Sequence, residues 1–240
     1  KERIANSKFI SYCLRMPETK DWLVRHAVGA TMPNLNTAIL SAVPIKLPPL
    51  HVQIEIASML GGIDDRISLL RETNATLESI AQALFKSWFV DFDPVRAKME
   101  GRAPEGMDET TAALFPDSFD ESELGLVPKG WAYSSIGQSF VLTMGQSPPG
   151  DTYNEIGEGL PFYQGRTDFG FRFPAQRVFC TSPSRLAELG DTLVSVRAPV
   201  GDVNMALERC SLGRGVAGVR HPEGFNSFVF YTLRMLKPKF

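Results

Sequence analysis

From Val52 to Val90 the apolar positions recur at alternating steps of four and three. Ile56, Leu60, Ile63, Ile67, Leu70, Asn74, Leu77, Ala81, Leu84 and Trp88 form one seam. The spacing predicts a long helix with nearly five heptads, with Ile56, Ile63, Leu70, Leu77 and Leu84 at d and the other five residues at a. At about 1.5 Å per residue it spans roughly 58 Å. Gly61-Gly62 weakens its first turns by about 1 kcal/mol per glycine relative to alanine. Asn74 has two readings: a polar residue at a that sets register, or an asparagine reaching solvent from a poorly packed layer. Phe85, Trp88, Phe89 and Phe92 crowd the end, and Pro94 closes the run. Leu84 and Trp88 lie on the seam. Phe85, Phe89 and Phe92 widen the apolar stripe beyond a two-helix contact and predict docking against a neighbour.

The flanks show no such period. Residues 1–48 are mixed and end in Pro- and Asn-rich punctuation, with "AVPIKL" read as a short edge strand stopped by Pro48-Pro49. Residues 94–127 carry Pro94, Gly101, Pro104, Gly106 and Pro116 among many acids, and are expected to form a mostly irregular acidic connector. From Pro128 to Phe240, strand-like runs ("SFVLTM", "LPFYQG", "RVFCT", "DTLVSV", "GVAGVR", "SFVFYTL") alternate with Gly, Pro and Asn turns, and "SPSRLAELGD" is expected to make a helical turn. The fold class is α/β in the mixed α+β sense, with β-rich lobes joined by a coiled-coil-type helix. The expected segments are 1–48, 49–93, 94–127 and 128–240.

Charge sharpens this division. Residues 1–48 hold 7 Lys+Arg against 3 Asp+Glu, residues 49–125 hold 6 against 15, and residues 126–240 hold 12 against 9. Two basic lobes around an acidic bar would meet a polyanion at the lobes. A plainer reading is that the helices collect acids. Cys13, Cys180 and Cys210 show no CxxC pairing and fit a reducing compartment. His26, His51 and His221 are isolated. No apolar run reaches the roughly 18–20 residues of a membrane span, so the chain is read as cytoplasmic, with no membrane partner. An opening on Lys1 rather than Met reads as a chain whose beginning lies elsewhere.

Catalytic motifs fail on inspection. Ser147-Pro148-Pro149-Gly150 resembles the base-holding turn of amino-methyltransferases, but Gly150 stands where a stacking ring belongs. No GxG turn for S-adenosylmethionine precedes it. The Gly turns at 157–159 and 213–215 have no phosphate-loop Lys-Ser/Thr, and Ser195 and Ser211 have no nucleophile elbow. Asp151, Glu155 and Glu158 read better as a solvated loop than as metal ligands. A basic, amide-rich and hydroxyl-rich surface remains: Gln146, Ser147, Tyr153, Asn154, Gln164, Arg166, Arg172, Arg197 and Arg214, with Asn34, Asn36 and Lys46 in the first lobe. Arg and Lys suit phosphates and guanine edges, and Asn or Gln suits adenine edges.

Several stretches together carry a resemblance. They are the Gly-Ala-Thr-x-x-Asn-Leu loop at 29–35, Pro48-Pro49-Leu50-x-x-Gln53, the helix ending in Leu84-Phe85-x-x-Trp88-Phe89, Pro128-x-Gly130-Trp131, "GLPFYQGRTDF", "GDTLVSVRAPVGDVN" and "GRGVAGVR". The chain resembles the specificity subunit of type I restriction-modification systems over nearly its whole length. The resemblance implies a non-catalytic reader of double-stranded DNA that directs methylation and cleavage to a bipartite site. Residues 1–48 would be the tail of one target recognition domain and 128–240 the front of another. The helix would act as spacer and docking element for the modification subunits, and through them for the restriction subunits. S-adenosylmethionine, ATP and Mg would belong to those partners, with no cofactor on this chain. The family plan has two recognition domains and two antiparallel helices, and half of it is present here. An antiparallel homodimer with exchange of segments would bring 128–240 of one chain beside 1–48 of its partner; the plainer reading is an excerpt of a longer subunit. The competing readings are a fragment of an adenine-N6 DNA methyltransferase and a structural coiled-coil adaptor.

Overall fold

The structure, a computed structural model, describes residues 4–29, 34–123 and 125–237. The backbone divides after residue 81 into two units. The division falls inside the longest helix. Residues 30–33 of the Gly-Ala-Thr-x-x-Asn-Leu loop lie outside the described residues.

The first unit contains α1 (Ser7–Arg15), α2 (Pro17–His26), α3 (Thr37–Ser41) and most of α4 (Leu50–Phe89). The 40-residue α4 is about 60 Å long at 1.5 Å per residue. It passes through Gly61-Gly62 unbroken. Gly61 has a local use, because a Cβ there would lie 2.3 Å from Lys8 Nζ on α1. The α1 contact continues on both sides of it. Asn6 N–H donates to Gln53 Oε1 (2.9 Å), and Tyr12 OH donates to Asp64 Oδ2 (2.8 Å). Gln53, Ala57, Gly61 and Asp64 therefore mark one face of α4, with Phe9 and Ala57 buried. "AVPIKL" forms no strand; residues 43–49 belong to no helix, turn or strand.

The second unit opens at the end of α4. The helix stops at Phe89, and the chain turns at Phe92, whose φ of 58° is left-handed. Pro94 lies in the first turn of α5 (Asp93–Met99), so it starts the next helix rather than ending the long one. The stretch expected to be irregular also carries α6 (Glu109–Ala113) and an antiparallel hairpin of β1 (Phe119–Ser122) and β2 (Gly125–Pro128). After α7 (Ile136–Ser139) come β3 (Val141–Met144), β4 (Tyr153–Asn154), β5 (Leu160–Tyr163), β6 (Phe179–Cys180), β7 (Leu186–Ala187), β8 (Thr192–Ser195), β9 (Val203–Met205), β10 (Cys210–Leu212) and β11 (Val216–Arg220). These strands build a five-stranded sheet, β4-β6-β5-β10-β7, and a four-stranded sheet, β3-β11-β8-β9.

Two expectations fail here. "SPSRLAELGD" holds the short strand β7, and "SFVFYTL" lies within helix α8 (Asn226–Leu236). The strand period explains the layering. Leu193 and Val216 join Tyr163, Leu212 and Cys210 in one core cluster. Val194 and Val219 join Val229 and Leu233 of α8 in another. The four-stranded sheet thus packs one face on the other sheet and one face on α8. Asp191, buried at the start of β8, is gripped by Arg220 through two bonds of 2.6 and 2.7 Å.

Candidate nucleic-acid interface

Strand register decides which loops meet. In the four-stranded sheet, Met144 at the end of β3 faces Ala217, and Ser195 at the end of β8 faces Val216. In the other sheet, β5 and β10 run parallel and end side by side at Tyr163 and Leu212. The segments 145–150, 164–168, 196–202 and 213–215 therefore leave the sheets at one end.

Main-chain bonds tie these segments together. Gly145 N–H donates to Val216 O (3.0 Å), Gln146 N–H to Leu212 O (2.9 Å), Gly213 N–H to Tyr163 O (2.9 Å) and Val196 N–H to Gly215 O (2.9 Å). The approach is close at Gly215, where a Cβ would lie 2.1 Å from Gln164 O. Arg214 donates from its backbone N–H and its Nε to Ser147 Oγ, both at 3.4 Å. Tyr153 donates to Pro148 O (2.7 Å) and stacks on Phe162 with ring centroids 4.6 Å apart. Burial is the main cause raising its phenol pKa above the ordinary value. The Ser-Pro-Pro-Gly stretch is thus a turn closed by Tyr153, and residues 150–152 make a single 3-10 turn.

Gln146, Ser147, Tyr153, Gln164 and Arg214 are brought together, with Arg166 and Arg197 on the same group of segments. Gln146, Gln164, Arg166, Arg197 and Arg214 are exposed. Arg166 also pairs with Asp202 at 2.9 Å. Asn154 uses its side chain locally, donating to Glu158 O and accepting from the Ile156 and Glu158 N–H groups. Arg172 is engaged on α8 instead. Its guanidinium lies 4.4 Å from the Phe230 ring centroid and donates to Tyr231 OH at 3.0 Å.

In the first unit, Asn36 caps α3 by accepting from Ile39 N–H (2.8 Å). Asn34 pairs its main chain with Val28. Lys46 is exposed beside a groove of about 600 Å³ lined by Phe9, Met16, Ile45, Ile56 and Leu60.

The seam residues Ile56, Leu60, Ile63, Ile67, Leu70 and Leu77 are exposed by 36% to 57%, and Leu84 by 43%. Asn74 is exposed as well, while Ala81 and Trp88 are partly covered. The aromatic end of α4 packs inside the second unit. Phe85 is buried with its ring 5.0 Å from Phe89, 5.7 Å from Phe228 and 5.8 Å from Tyr231. Phe89 meets Phe228 edge-on at 5.2 Å, Trp88 meets Phe115 at 6.1 Å, and Phe92 meets both Phe119 and Trp131 at 6.0 Å.

The sequence reading passed over Gln53, although it quoted the motif that ends there. Gln53 is almost fully buried and bonds three main-chain groups: Asn6 N–H, Ile4 O (3.2 Å) and Pro48 O (2.7 Å). It also passed over Arg234 and Lys237, because their helix read as a strand.

Residues 1–79 match the family model described as the type I restriction modification DNA specificity domain. Over 238 residues the chain is 33% identical to a putative type I restriction enzyme MjaX specificity subunit of Methanocaldococcus jannaschii, covering 96% of this chain and 51% of that protein. It is 29% identical over 195 residues to the type I restriction enzyme HindI specificity subunit of Haemophilus influenzae, covering 65% and 42%. A solved HsdS subunit from Thermoanaerobacter tengcongensis is 30% identical, with a TM-score of 0.45, covering 98% of this chain and 54% of that one. The chain spans about half the length of the curated relatives it matches. On this likeness, which runs through nearly its whole length, the chain belongs to the family of type I restriction-modification specificity subunits.

Proposed function

We propose that this chain is a non-catalytic reader of double-stranded DNA that directs the methylation and cleavage performed by partner modification and restriction subunits. The observation that carries this reading is the convergence of four segments that present Gln146, Gln164, Arg166, Arg197 and Arg214 at one end of the β-rich unit. Guanidinium forks and side-chain amides are the groups that read base edges and hold phosphates. The units on either side of α4 act as parts of recognition domains, 1–48 and 128–240. The helix serves as the spacer element that a bipartite site requires. S-adenosylmethionine, ATP and Mg belong to the partners.

Arg197→Ala with Arg214→Ala, assembled with the modification subunits, tests this. Methylome sequencing should show loss or relaxation of the methylated half-site. An unchanged methylated sequence would refute the assignment. Binding of S-adenosylmethionine by the purified chain alone would favour a methyltransferase instead. DNA affinity that ignores salt would favour a structural adaptor.

The exposed seam supports a second element of the proposal, an antiparallel pair of α4 helices from two copies. With the two-fold axis at Glu72, Ile56 faces Trp88 of the second copy, Leu60 faces Leu84, Ile63 faces Ala81, Ile67 faces Leu77 and Leu70 faces Asn74. Every a residue then meets a d residue. Residues 128–240 of one chain would complete a recognition domain with residues 1–48 of the other. Sedimentation should give a dimer at micromolar concentration that Ile67→Asp dissociates. A parent chain that is monomeric there would remove this element and leave the DNA-reading proposal standing.

A further inference from the structure

Beside the segment cluster lies a cleft of about 230 Å³, lined by Arg166, Phe171, Asp202, Val203, Arg234 and Lys237. Asp202 is fixed from its backbone. Its N–H donates to Ser195 Oγ (2.9 Å), and that hydroxyl donates to Pro199 O (2.8 Å). The Asp202 side chain is 17% exposed and draws two cations to itself. Arg166 Nη1 lies 2.9 Å from one oxygen, and Lys237 Nζ bonds the other. Arg234, one turn earlier on α8, lines the same cleft. Two side-chain cations thus meet one carboxylate, and a third lines the same cleft.

The two paired cations have donors to offer. A guanidinium carries about five N–H donors and an ammonium about three, more than the roughly four lone-pair positions of one carboxylate. Arg166 and Lys237 keep 55% and 53% of their side chains exposed, so their outer edges face solvent. The carboxylate acts as a brace that holds mutually repelling cations at one point. Such an arrangement suits an oxyanion whose oxygens take the outward donors.

We propose that this cleft seats a backbone phosphate of the DNA held by the neighbouring segments. The assignment rests on the DNA-reading function proposed above. Arg166 lies two residues beyond Gln164 on the same segment, so the phosphate it grips fixes the register in which Gln164 and Arg214 meet base edges. The cleft is sequence-blind; its part is to position.

The test uses the full chain with short labelled duplexes of unrelated sequence, titrated at several salt concentrations. Lys237→Ala should weaken every duplex by a similar factor. It should also reduce the slope of log K against log[salt] by about one, the loss of one phosphate contact. Lys237→Arg should keep the parent slope, and Arg166→Ala should repeat the loss from the other side of Asp202. If the parent binds DNA and neither alanine variant changes the slope, the cleft is not a phosphate seat, although the reader survives. If the parent binds no DNA, reader and seat fall together. Inorganic phosphate at constant ionic strength distinguishes the source of the anion. Displacement of DNA by phosphate with an unchanged slope in Lys237→Ala would mark a free-anion site and overturn the assignment to DNA.

Discussion

Replacing Gln53 tests the central packing claim for the first unit. Its side chain accepts from Asn6 N–H and donates to Ile4 O and Pro48 O, at 2.9, 3.2 and 2.7 Å, and only 1% of the residue is exposed. One amide therefore joins the segment leading into α1 to the entry of α4. Each bond contributes about 0.5–1.5 kcal/mol net, and a buried main-chain group left without a partner costs more than an average bond contributes. Gln53→Ala should cost about 2–4 kcal/mol. Native-state hydrogen exchange reads this locally. The Ile10 amide, bonded to Asn6 O, should lose roughly 30- to 700-fold of its protection at about 1.4 kcal/mol per tenfold. Gln53→Glu keeps the shape and the acceptor for Asn6, but at neutral pH it has no proton for Ile4 O or Pro48 O. It should be no milder than alanine. If Gln53→Ala costs less than tenfold in protection, or Gln53→Glu matches the parent, hydrogen bonding is not what holds α1 to α4.

Three further outcomes are expected. Gly62 has no atom within 4 Å of a built Cβ, so Gly62→Ala should stabilise the chain by about 0.5–1 kcal/mol in urea melts; Gly61→Ala should give less, because it displaces Lys8. Arg220→Ala leaves the buried Asp191 carboxylate with Glu188 N–H as its remaining bond among those described and should cost about 3 kcal/mol; a loss under 1 kcal/mol in the same melts would contradict that pairing. Burial, and next the nearby Asp191, push the Cys210 thiol up to about 12 from about 9, so it should resist a thiol reagent at mildly alkaline pH while the partly exposed Cys13 reacts. Because the folded value is the higher one, the stability linked to Cys210 is complete below about 9 and is lost as pH rises toward about 12.

The long helix was legible because one period persists from Ile56 to Trp88 and no local exception resets it. α8 was not legible, and the reason is its neighbours. Val229 and Leu233 face the sheet and Phe230 is buried, while Phe228 and Tyr231 meet Phe85. A helix apolar on two sides shows no clean 3.6 repeat, and β-branched and aromatic residues then mimic a strand. The connector failed differently. Its Pro and Gly residues mark turns correctly, yet say nothing of the short elements between them. The candidate surface was legible in residue type and partly in place. Gln146, Ser147, Gln164 and Arg214 span sixty-nine positions of chain, but each follows a strand end or precedes a strand start, and ladder register gathers them. Arg172 has the same chemistry but is drawn off by two rings from the helix that was misread.

α4 has two faces that sequence periodicity reports unequally. The face marked by Gln53, Ala57, Gly61 and Asp64 takes α1, using one amide, two small residues and one carboxylate, none of which registers as apolar pattern. The face marked by Ile56 through Leu77 registers strongly, yet its residues remain exposed. A branched aliphatic side chain gains about 1.5–3 kcal/mol on full burial. Covering the seven exposed aliphatic residues of the seam, each already partly shielded, therefore offers on the order of 5–10 kcal/mol before the entropy of association is charged. A free energy of that size is what the proposed antiparallel pair of α4 helices would draw on. The heptad signal thus falls on residues that stay exposed, whereas the contact that holds the first unit together was written in residues the heptad passes over.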